Sequence, residues 1–556
     1  MTEESKERIT LRQAGLAGRT VLVSAMTLLS RLLGFAREVL MASLFGDTSV
    51  VSDAFLTAWR VPNLFRRLLG EGALSTSLQT TLTEVDSESG DAAGRRLFLR
   101  TVSLAFWLLM IVCLGGMAVV AWVPDELNLA GWQVLGGGNQ LLRDLTLRLL
   151  PYVVFVCLTA LAGGALQVRG HYLVPSLAPA LMNVTWIAAL LAIGLAFGWS
   201  AEPGELLDGV DLRQWEMARW LSWGVLLGGV VQLLLHLPPL VRRGLLAGPR
   251  TLRRAGEDSD ARGPSDVLRM AAPLALAAAV YQINVMIDGL MAYRLLEEGG
   301  PTALYYANRI QQFPLALVAL AATTAVFPLI KAHAHLGELD ELRRLHDRSQ
   351  LGILFLALPA TLGLLALAHP ISSVLFEHGQ YGPAGIERVT AGLSVLAFAL
   401  VPAGAAGLVG RTYIAMGDTR TPVRTSIWMM LTNMGLNLLF VKGFGMDVGG
   451  LALATVITIW GNLIWLLLAM PKKLALPSSA PDTLRQIGRV SLAALATGAG
   501  AWLATWPLSG SEGLAQVIRL GVGICAGLAA FVFTAQRLKL DQWTDFQGRL
   551  ARRFGK

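Results

Sequence analysis

Stretches of about 20 apolar residues recur from one end of the chain to the other, with short charged segments between them. A run of that length crosses the hydrocarbon core of a bilayer as a helix. Lipid gives backbone N–H and C=O groups no partner, so only helices or closed barrels can span it, and no ten-residue barrel alternation is visible. The expected fold class is therefore an all-α polytopic membrane protein. Charged residues are 15% of the 556, against about 25% in an ordinary soluble domain. Fourteen spans are expected, at 20–44, 51–83, 97–123, 144–168, 173–198, 218–241, 268–294, 302–330, 349–369, 385–416, 423–441, 449–470, 486–506 and 516–536. A polar head, Met1 to Arg19, precedes a first helix too long for a cleavable signal core.

The formal charge of +8 invites a nucleic-acid reading, but the basic residues sit mainly in alternate loops. One set holds Lys6, Arg8, Arg12, Arg19, Arg95, Arg96, Arg100, the long stretch Arg242 to Arg269, Lys331 to Arg348, Lys472, Lys473 and the tail from Arg537. About thirty Lys and Arg fall there and about six in the opposite set, which includes the acidic loop Glu202 to Glu216. That bias places both termini in the cytoplasm and leaves no role for nucleic acid.

A repeat is also present. Gly170-His171-Tyr172-Leu173-Val174-Pro175 and Gly417-Asp418-Thr419-Arg420-Thr421-Pro422 are both G-x-x-x-x-P turns after a long helix, offset by 247 residues. Pro62 and Pro314 are related by a similar offset of 252. Two six-helix lobes plus a C-terminal helix pair account for both. The resulting divisions are a head 1–19, a first lobe 20–241, a loop 242–267, a second lobe 268–470, a loop 471–485, the pair at 486–536 and a tail 537–556. Duplicated lobes imply a binding site at their interface and alternating access by rocking.

Nine basic residues remain inside or near the spans: Arg31, Arg37, Arg60, Arg66, Arg67, Arg148, Arg294, Arg309 and Arg411. Each would cost about 2.5 to 3.5 kcal/mol at mid-bilayer, so these charges must face water, pair with acids or snorkel. In the second span Asp53, Arg60, Arg67 and Glu71 share a stripe at 100° per residue; in the first, Arg31 and Glu38 share one and Arg37 lies off it. Pro62 shifts the phase, so periodicity leaves open whether Arg66 or Arg67 points inward. Five arginines against Glu38, Asp53 and Glu71 leave positive charge for an external anion, and the planar guanidinium suits phosphate. Interhelical salt bridges are the structural alternative.

Asp288, Asn433, Asn437 and Thr455, with Thr458, form a second polar group. Their oxygens could coordinate a hard cation such as Na⁺ as a coupling or structural ion, or simply bond between helices. No cofactor is expected. Cys113, Cys157 and Cys525 lie in apolar spans without metal spacing or an apparent disulfide pair. The histidines, among them His333, His335 and His346, lie mostly in loops and are expected to be solvated. No phosphate-binding G-x-x-x-x-G-K-[ST] loop occurs, and no Ser-His-Asp constellation stands out, so an enzyme is not expected.

Ser30-Arg31-Leu32-Leu33-Gly34-Phe35-Ala36-Arg37-Glu38, Ser52-Asp53-Ala54-Phe55, Val61-Pro62-Asn63-Leu64-Phe65-Arg66-Arg67 with Glu71-Gly72-Ala73, and Tyr305-Tyr306-Ala307-Asn308-Arg309 together resemble the MurJ (MviN) family of lipid II flippases. That family belongs to the wider multidrug, oligosaccharide-lipid and polysaccharide exporter superfamily, and the resemblance covers essentially the whole chain. It implies transport of lipid II, an undecaprenyl-pyrophosphate-linked disaccharide peptide, across a bacterial inner membrane for peptidoglycan synthesis, with membrane lipids and the cell-wall synthesis machinery as partners. It implies that Arg37, Arg66 and Arg309 hold the pyrophosphate, with Arg31, Asp53 and Arg60 in support. Asn308 departs from the pattern, where an Asp often precedes the arginine, and Asn437 replaces an expected carboxylate of the Na⁺ site. The last two spans resemble the wall of a groove for the polyprenyl tail. The rival readings are a flippase for another polyprenyl-linked oligosaccharide, a multidrug antiporter, or a non-transporting divisome scaffold.

Overall fold

The computed structural model describes residues 3–122, 138–199, 204–207, 210–246, 262–323, 326–470, 480–510 and 513–554. The basic stretch 247–261 and Lys472–Lys473 lie outside them. Two compact units divide the chain, Met1–Leu290 and Met291–Lys556.

The first unit contains α1 (Glu3–Phe45), α2 (Val50–Phe65), a π-helical segment (Arg66–Ala73), α3 (Leu74–Trp122), α4 (Gly138–Leu149), α5 (Tyr152–Val168), α6 (Leu173–Phe197), a two-residue hairpin (Leu206–Leu207 with Val210–Asp211), α7 (Leu212–Arg242) and most of α8 (Pro264–Leu295). Caps start two of the helices. Ser49 Oγ accepts from the Ser52 amide at 3.0 Å and opens α2. Asp211 Oδ1 accepts from the amides of Arg213 and Gln214 at 2.8 and 3.2 Å and opens α7. Leu78, Leu82, Phe98, Leu161, Leu166 and Leu240 lie in its core. On α3, Trp107, Ile111, Leu114 and Val119 stand exposed, as side chains facing lipid do.

The second unit contains α9 (Gly300–Thr323), α10 (Phe327–Leu336), α11 (Leu339–Phe376), α12 (Pro383–Ala397), α13 (Leu400–Ala415), α14 (Arg420–Leu438) with a short π-helical end (Leu439–Gly443), α15 (Val448–Ala469), α16 (Ala480–Thr505), α17 (Leu514–Arg537) and α18 (Asp541–Phe554). One apolar cluster gathers Val318, Ile353, Leu408, Tyr413 and Leu463; another gathers Phe355, Val490, Ala493, Ala535 and Leu540.

Among the described residues, eight helices are long and apolar enough to cross a membrane, or nine when α12 and α13, bent by 43°, are one broken span. The protein is all-α with a multi-pass membrane architecture. Helices α1, α2, α8, α9 and α14 interrupt their apolar stretches with charged or polar residues, so length and composition argue less strongly for them.

The two G-x-x-x-x-P turns adopt one local geometry. Gly170 and Gly417 have φ of 74° and 82°. In the first, the His171 amide reaches Leu166 O at 2.8 Å and the Gly170 amide reaches Gln167 O at 3.0 Å. In the second, Asp418 reaches Tyr413 O at 2.9 Å and Gly417 reaches Ile414 O at 3.0 Å. Glycine is the residue that enters this left-handed cap without steric cost, so a turn visible in sequence corresponds to a defined helix stop.

Two expectations need correction. The segment between the second and third spans, expected as a loop, is helical: α3 runs through it and breaks only at Gly90, whose φ is 79°. Arg169 ties the two sides together, bonding Asp86 Oδ1 at 2.8 Å and ion-pairing with Asp91. His346, expected to be solvated, is buried in α11, with Nδ1 2.9 Å from Thr412 Oγ1. The α11 helix begins ten residues before the apolar run and carries His346 into the packed interior.

Candidate functional site

The first unit holds a buried arginine seat. Arg37 and Glu38 on α1 are 7% and 1% exposed. A buried charge is strongly destabilising unless paired and hydrogen-bonded, and here both conditions are met. Arg37 ion-pairs with Glu38, and its Nη1 donates to Asn183 Oδ1 of α6 at 3.2 Å. Its guanidinium lies 4.2 Å from the centroid of the Trp186 ring. Asn183 is itself fixed by donating Nδ2 to Ser30 O at 2.8 Å. Trp186 is held edge-on by Trp59 at 4.9 Å and Phe55 at 5.8 Å, both from α2. Three helices therefore set the position of one guanidinium. The stripe rule grouped Glu38 with Arg31; the structure pairs it with Arg37 and leaves Arg31 exposed.

Helix α2 and the π-helical segment carry the next group. Asp53, 3% exposed, lies in the first turn of α2, where a carboxylate meets the positive end of the helix dipole. Arg60, half-buried two turns on, donates Nη1 to Val285 O of α8 at 3.3 Å. It fits because residue 289 is glycine. A Cβ there would lie 2.3 Å from Arg60 Cδ and Nε and 2.5 Å from Cζ. Asp288 is the residue before this notch.

Four residues after Pro62 the α-helix gives way to π-turns. Such turns close i→i+5 rings and cluster at functional sites. Arg66, the first residue of the segment, donates Nε and Nη2 to Asn63 Oδ1 at 3.1 and 2.9 Å. Arg67 follows, half-buried. The stripe built on 100° steps thus applies to Asp53 and Arg60 but ends at Phe65, before Arg67 and Glu71. The side chain of Glu71 lies outside the described residues.

In the second unit Arg309 is half-buried on α9. Around it α9 is anchored by Tyr306, stacked on Phe376 at 4.4 Å, and by Gln311, whose Nε2 donates to Leu396 O at 3.4 Å. Asn308 donates back to Leu304 O of its own helix at 3.0 Å.

The second polar group resolves into a hydrogen-bonded chain. Asn437 Nδ2 donates to Asn433 Oδ1 at 3.1 Å, and Asn433 Nδ2 reaches Thr458 Oγ1 of α15 at 3.4 Å. The Thr455 hydroxyl instead bonds Leu451 O at 3.0 Å. Thr458 is therefore the hydroxyl joined to the amides. Asn433 Oδ1 already accepts from Asn437, which suits an interhelical tie better than a cation cage. Among the described residues no group of three or more His, Cys, Asp or Glu could hold a metal ion.

The remaining basic residues have structural neighbours of their own. Arg148 and Arg219 both donate Nε to Asp144, each at 3.0 Å, and Trp215 Nε1 reaches the same carboxylate at 3.1 Å. Arg411 lies 5.9 Å from the ring of Phe327. Arg294 is half-buried near the end of α8. Sequence reasoning missed Asn183, Trp186 and Gly289. A polar Asn one turn from a Trp inside an apolar run was the available signal for the first two. Gly289 had none, because its role depends on a side chain more than two hundred residues away.

The family profile described as Lipid II flippase MurJ matches residues 41–510. A probable lipid II flippase MurJ of Vibrio cholerae is 32% identical over 544 residues, covering 93% of this chain and 96% of its own. The lipid II flippase MurJ of Burkholderia cenocepacia is 31% identical, covering 81% and 83%. Among solved structures, a lipid II flippase MurJ in an inward closed conformation superposes with a TM-score of 0.69 at 21% identity, over 93% of this chain and 99% of that one. An inward-facing multidrug resistance MATE family transporter of the MOP superfamily superposes at 0.63 with 14% identity, over 82% and 98%. These two share the fold.

Proposed function

Because this chain belongs to the lipid II flippase MurJ family, we propose that it moves lipid II from the cytoplasmic to the periplasmic leaflet of a bacterial inner membrane. It is a transporter and not an enzyme. The observation that carries the reading is the similarity, over 81–93% of this chain and at 31–32% identity, to proteins named lipid II flippase or probable lipid II flippase. The arginines of α1, α2 and the π-helical segment supply the chemistry for a pyrophosphate.

In this proposal fourteen spans form two six-helix lobes, 20–241 and 268–470, with the pair at 486–536 added and both termini cytoplasmic. A cationic central cavity binds the pyrophosphate through Arg37, Arg66, Arg67 and Arg309, with Arg31 and Arg60 in support. Glu38, Asp53 and Glu71 hold these arginines in place while the cavity is empty. Arg37 then exchanges Glu38 for phosphate, which explains why a charge intended for substrate is stored in a buried pair. Bidentate guanidinium–phosphate bonds favour this exchange.

Lobe rocking exposes the head group on the other side while the tail stays in lipid. A membrane potential, negative inside, helps to expel an anion by about 2.3 kcal/mol per charge per 100 mV, and draws the emptied, positive cavity back. Na⁺ is not required by this scheme, and the Asn433–Asn437–Thr458 chain acts as an interhelical tie. Contacts with the cell-wall synthesis machinery would hand lipid II on.

The test is complementation of a flippase-depleted bacterium with Arg37→Ala, Arg66→Ala and Arg309→Ala, alongside flipping in proteoliposomes with and without an imposed potential. Loss of growth at normal expression is expected. Growth supported by all three variants would overturn the cavity assignment, and flipping indifferent to potential would overturn the driving force.

A further inference from the structure

The last helix is not part of any expected span, and its chemistry differs from everything before it. Helix α17 ends at Arg537 and turns through Lys539, whose φ of 48° makes it the one non-glycine residue in left-handed conformation among the described residues. The Leu540 amide bonds Ala535 O at 3.1 Å and the Lys539 amide bonds Gln536 O at 3.2 Å, so the turn is a hydrogen-bonded helix stop. Leu540, 2% exposed, plugs into the apolar cluster behind it. The direction in which α18 departs is therefore fixed by packing.

Its contacts show where it goes. Gln486 Nε2, near the start of α16, donates to Asp541 Oδ2 at 3.0 Å. Arg348, in the part of α11 that precedes its apolar run, ion-pairs with Asp545. Trp543 meets Phe531, in the last two turns of α17, at 6.5 Å. Three different helices are touched, each near the end that borders the cytoplasmic segments expected from the charge bias. A helix that crosses the ends of neighbouring spans lies at the level of the membrane interface.

The helical register then sorts its residues. Steps of 3, 4 and 4 place Trp543, Phe546, Leu550 and Phe554 on one face. Arg552 falls on the opposite face, Arg549 on the flank and Arg553 at the apolar edge. The acids, Asp541 and Asp545, are confined to the first half, and both bond the protein. From Phe546 onward the sequence carries Arg549, Arg552, Arg553 and Lys556 and no acid. Apolar on one side and basic on the other, such a helix binds the boundary of headgroups and acyl chains.

We propose that α18 is a membrane-interface helix whose second half binds the anionic phospholipid headgroups of the leaflet it borders. Its first half is clamped to the bundle by Asp541, Trp543 and Asp545. Its second half offers a negative surface the basic register positions 549, 552 and 553 beside the apolar positions 546, 550 and 554. Each Lys or Arg near an anionic surface contributes favourably and is screened by salt.

The experiment uses the full chain in lipid nanodiscs of phosphatidylcholine alone or mixed with phosphatidylglycerol. Hydrogen–deuterium exchange is followed over 546–554, with a peptide from α17 as internal control. Exchange over 546–554 is expected to slow about tenfold or more with phosphatidylglycerol and to recover in high salt, while α17 is unchanged. The triple variant Arg549→Gln/Arg552→Gln/Arg553→Gln should lose the lipid difference. A second variant, Phe546→Gln/Leu550→Gln, should exchange fast in both lipids. Equal exchange in the two lipids, or a triple variant that keeps the wild-type difference, overturns the proposal. Protection that is the same in both lipids and indifferent to salt would assign α18 to a protein surface instead.

Discussion

Replacing Gly289 with alanine should impair transport while leaving the protein folded. The new Cβ would lie 2.3 Å from Arg60 Cδ and Nε and 2.5 Å from Cζ, well inside van der Waals contact. The atoms it meets belong to the far end of a flexible side chain, so Arg60 swings aside and α8 stays in place. The swing breaks the bond from Nη1 to Val285 O. A hydrogen bond from a charged group is worth about 1.5–3 kcal/mol, at the lower end here because Arg60 is only half-buried. Against this, alanine in a helix interior is favoured over glycine by about 1 kcal/mol. The net cost to stability is about 0.5 kcal/mol, and the melting temperature should fall by less than about 2 °C. Transport should respond more strongly. If correctly placed Arg60 adds one charge-assisted bond to the substrate, its displacement removes about 1.5–3 kcal/mol of binding, a drop of roughly 10- to 100-fold in flipping at low lipid II. The assay is lipid II flipping in proteoliposomes, combined with thermal unfolding of wild type, Gly289→Ala, Arg60→Ala and the double variant. Gly289→Ala should have almost no effect on flipping once Arg60 is alanine, because the two sites are coupled. Strictly additive losses, or a Gly289→Ala protein that flips like wild type while Arg60→Ala does not, would refute the notch argument.

Three further outcomes are expected. Arg37→Ala leaves Glu38 buried without its cation and should destabilise by about 3–5 kcal/mol in thermal unfolding, whereas Arg37→Leu/Glu38→Leu should recover most of that loss; equal destabilisation by both would contradict the buried-pair assignment. Gly90→Ala places a side chain at φ 79°, ψ 171°, a region open essentially to glycine alone, with nothing within 4 Å of its Cβ, so its cost is purely conformational, about 1–3 kcal/mol, and Gly90→Asn should cost as much. Burial first, and the Arg243 charge second, hold the His171 imidazole below its ordinary value of 6.5, so folding disfavours its protonation. That contribution is complete above pH 6.5 and is lost as pH falls below it, hence His171→Gln should show a shallower fall in melting temperature on acidification.

How much could be foreseen depended on the range of each interaction. The all-α, multi-pass class followed from solvation alone, since a residue's hydrophobicity needs no partner. The turns at Gly170 and Gly417 were equally visible, because a left-handed helix stop depends on five or six consecutive residues. The arginine group was visible as a composition anomaly, but its internal arrangement was not. The interval of seven joined Arg31 to Glu38, yet Glu38 pairs with the adjacent Arg37, because long side chains bend around the 100° that separates neighbours. The choice between Arg66 and Arg67 stayed open for a definite reason: the angular rule assumes α-helix, and residues 66–73 are not α-helical. The burial of His346 and the notch at Gly289 rest on tertiary neighbours, Thr412 and Arg60, that no local pattern reveals.

The wide-turned segment from Arg66 to Ala73 also bears on how this region can change over time. In an uninterrupted α-helix, loss of one codon turns everything beyond it by about 100° and scrambles both faces. Here slack is already stored in the coil. A single-residue deletion within the segment can be absorbed by tightening its loops into ordinary turns, with the span still continuous. The lineage can therefore re-aim the guanidinium pair against an otherwise unshifted helix, and insertions or deletions in relatives should collect in these eight positions.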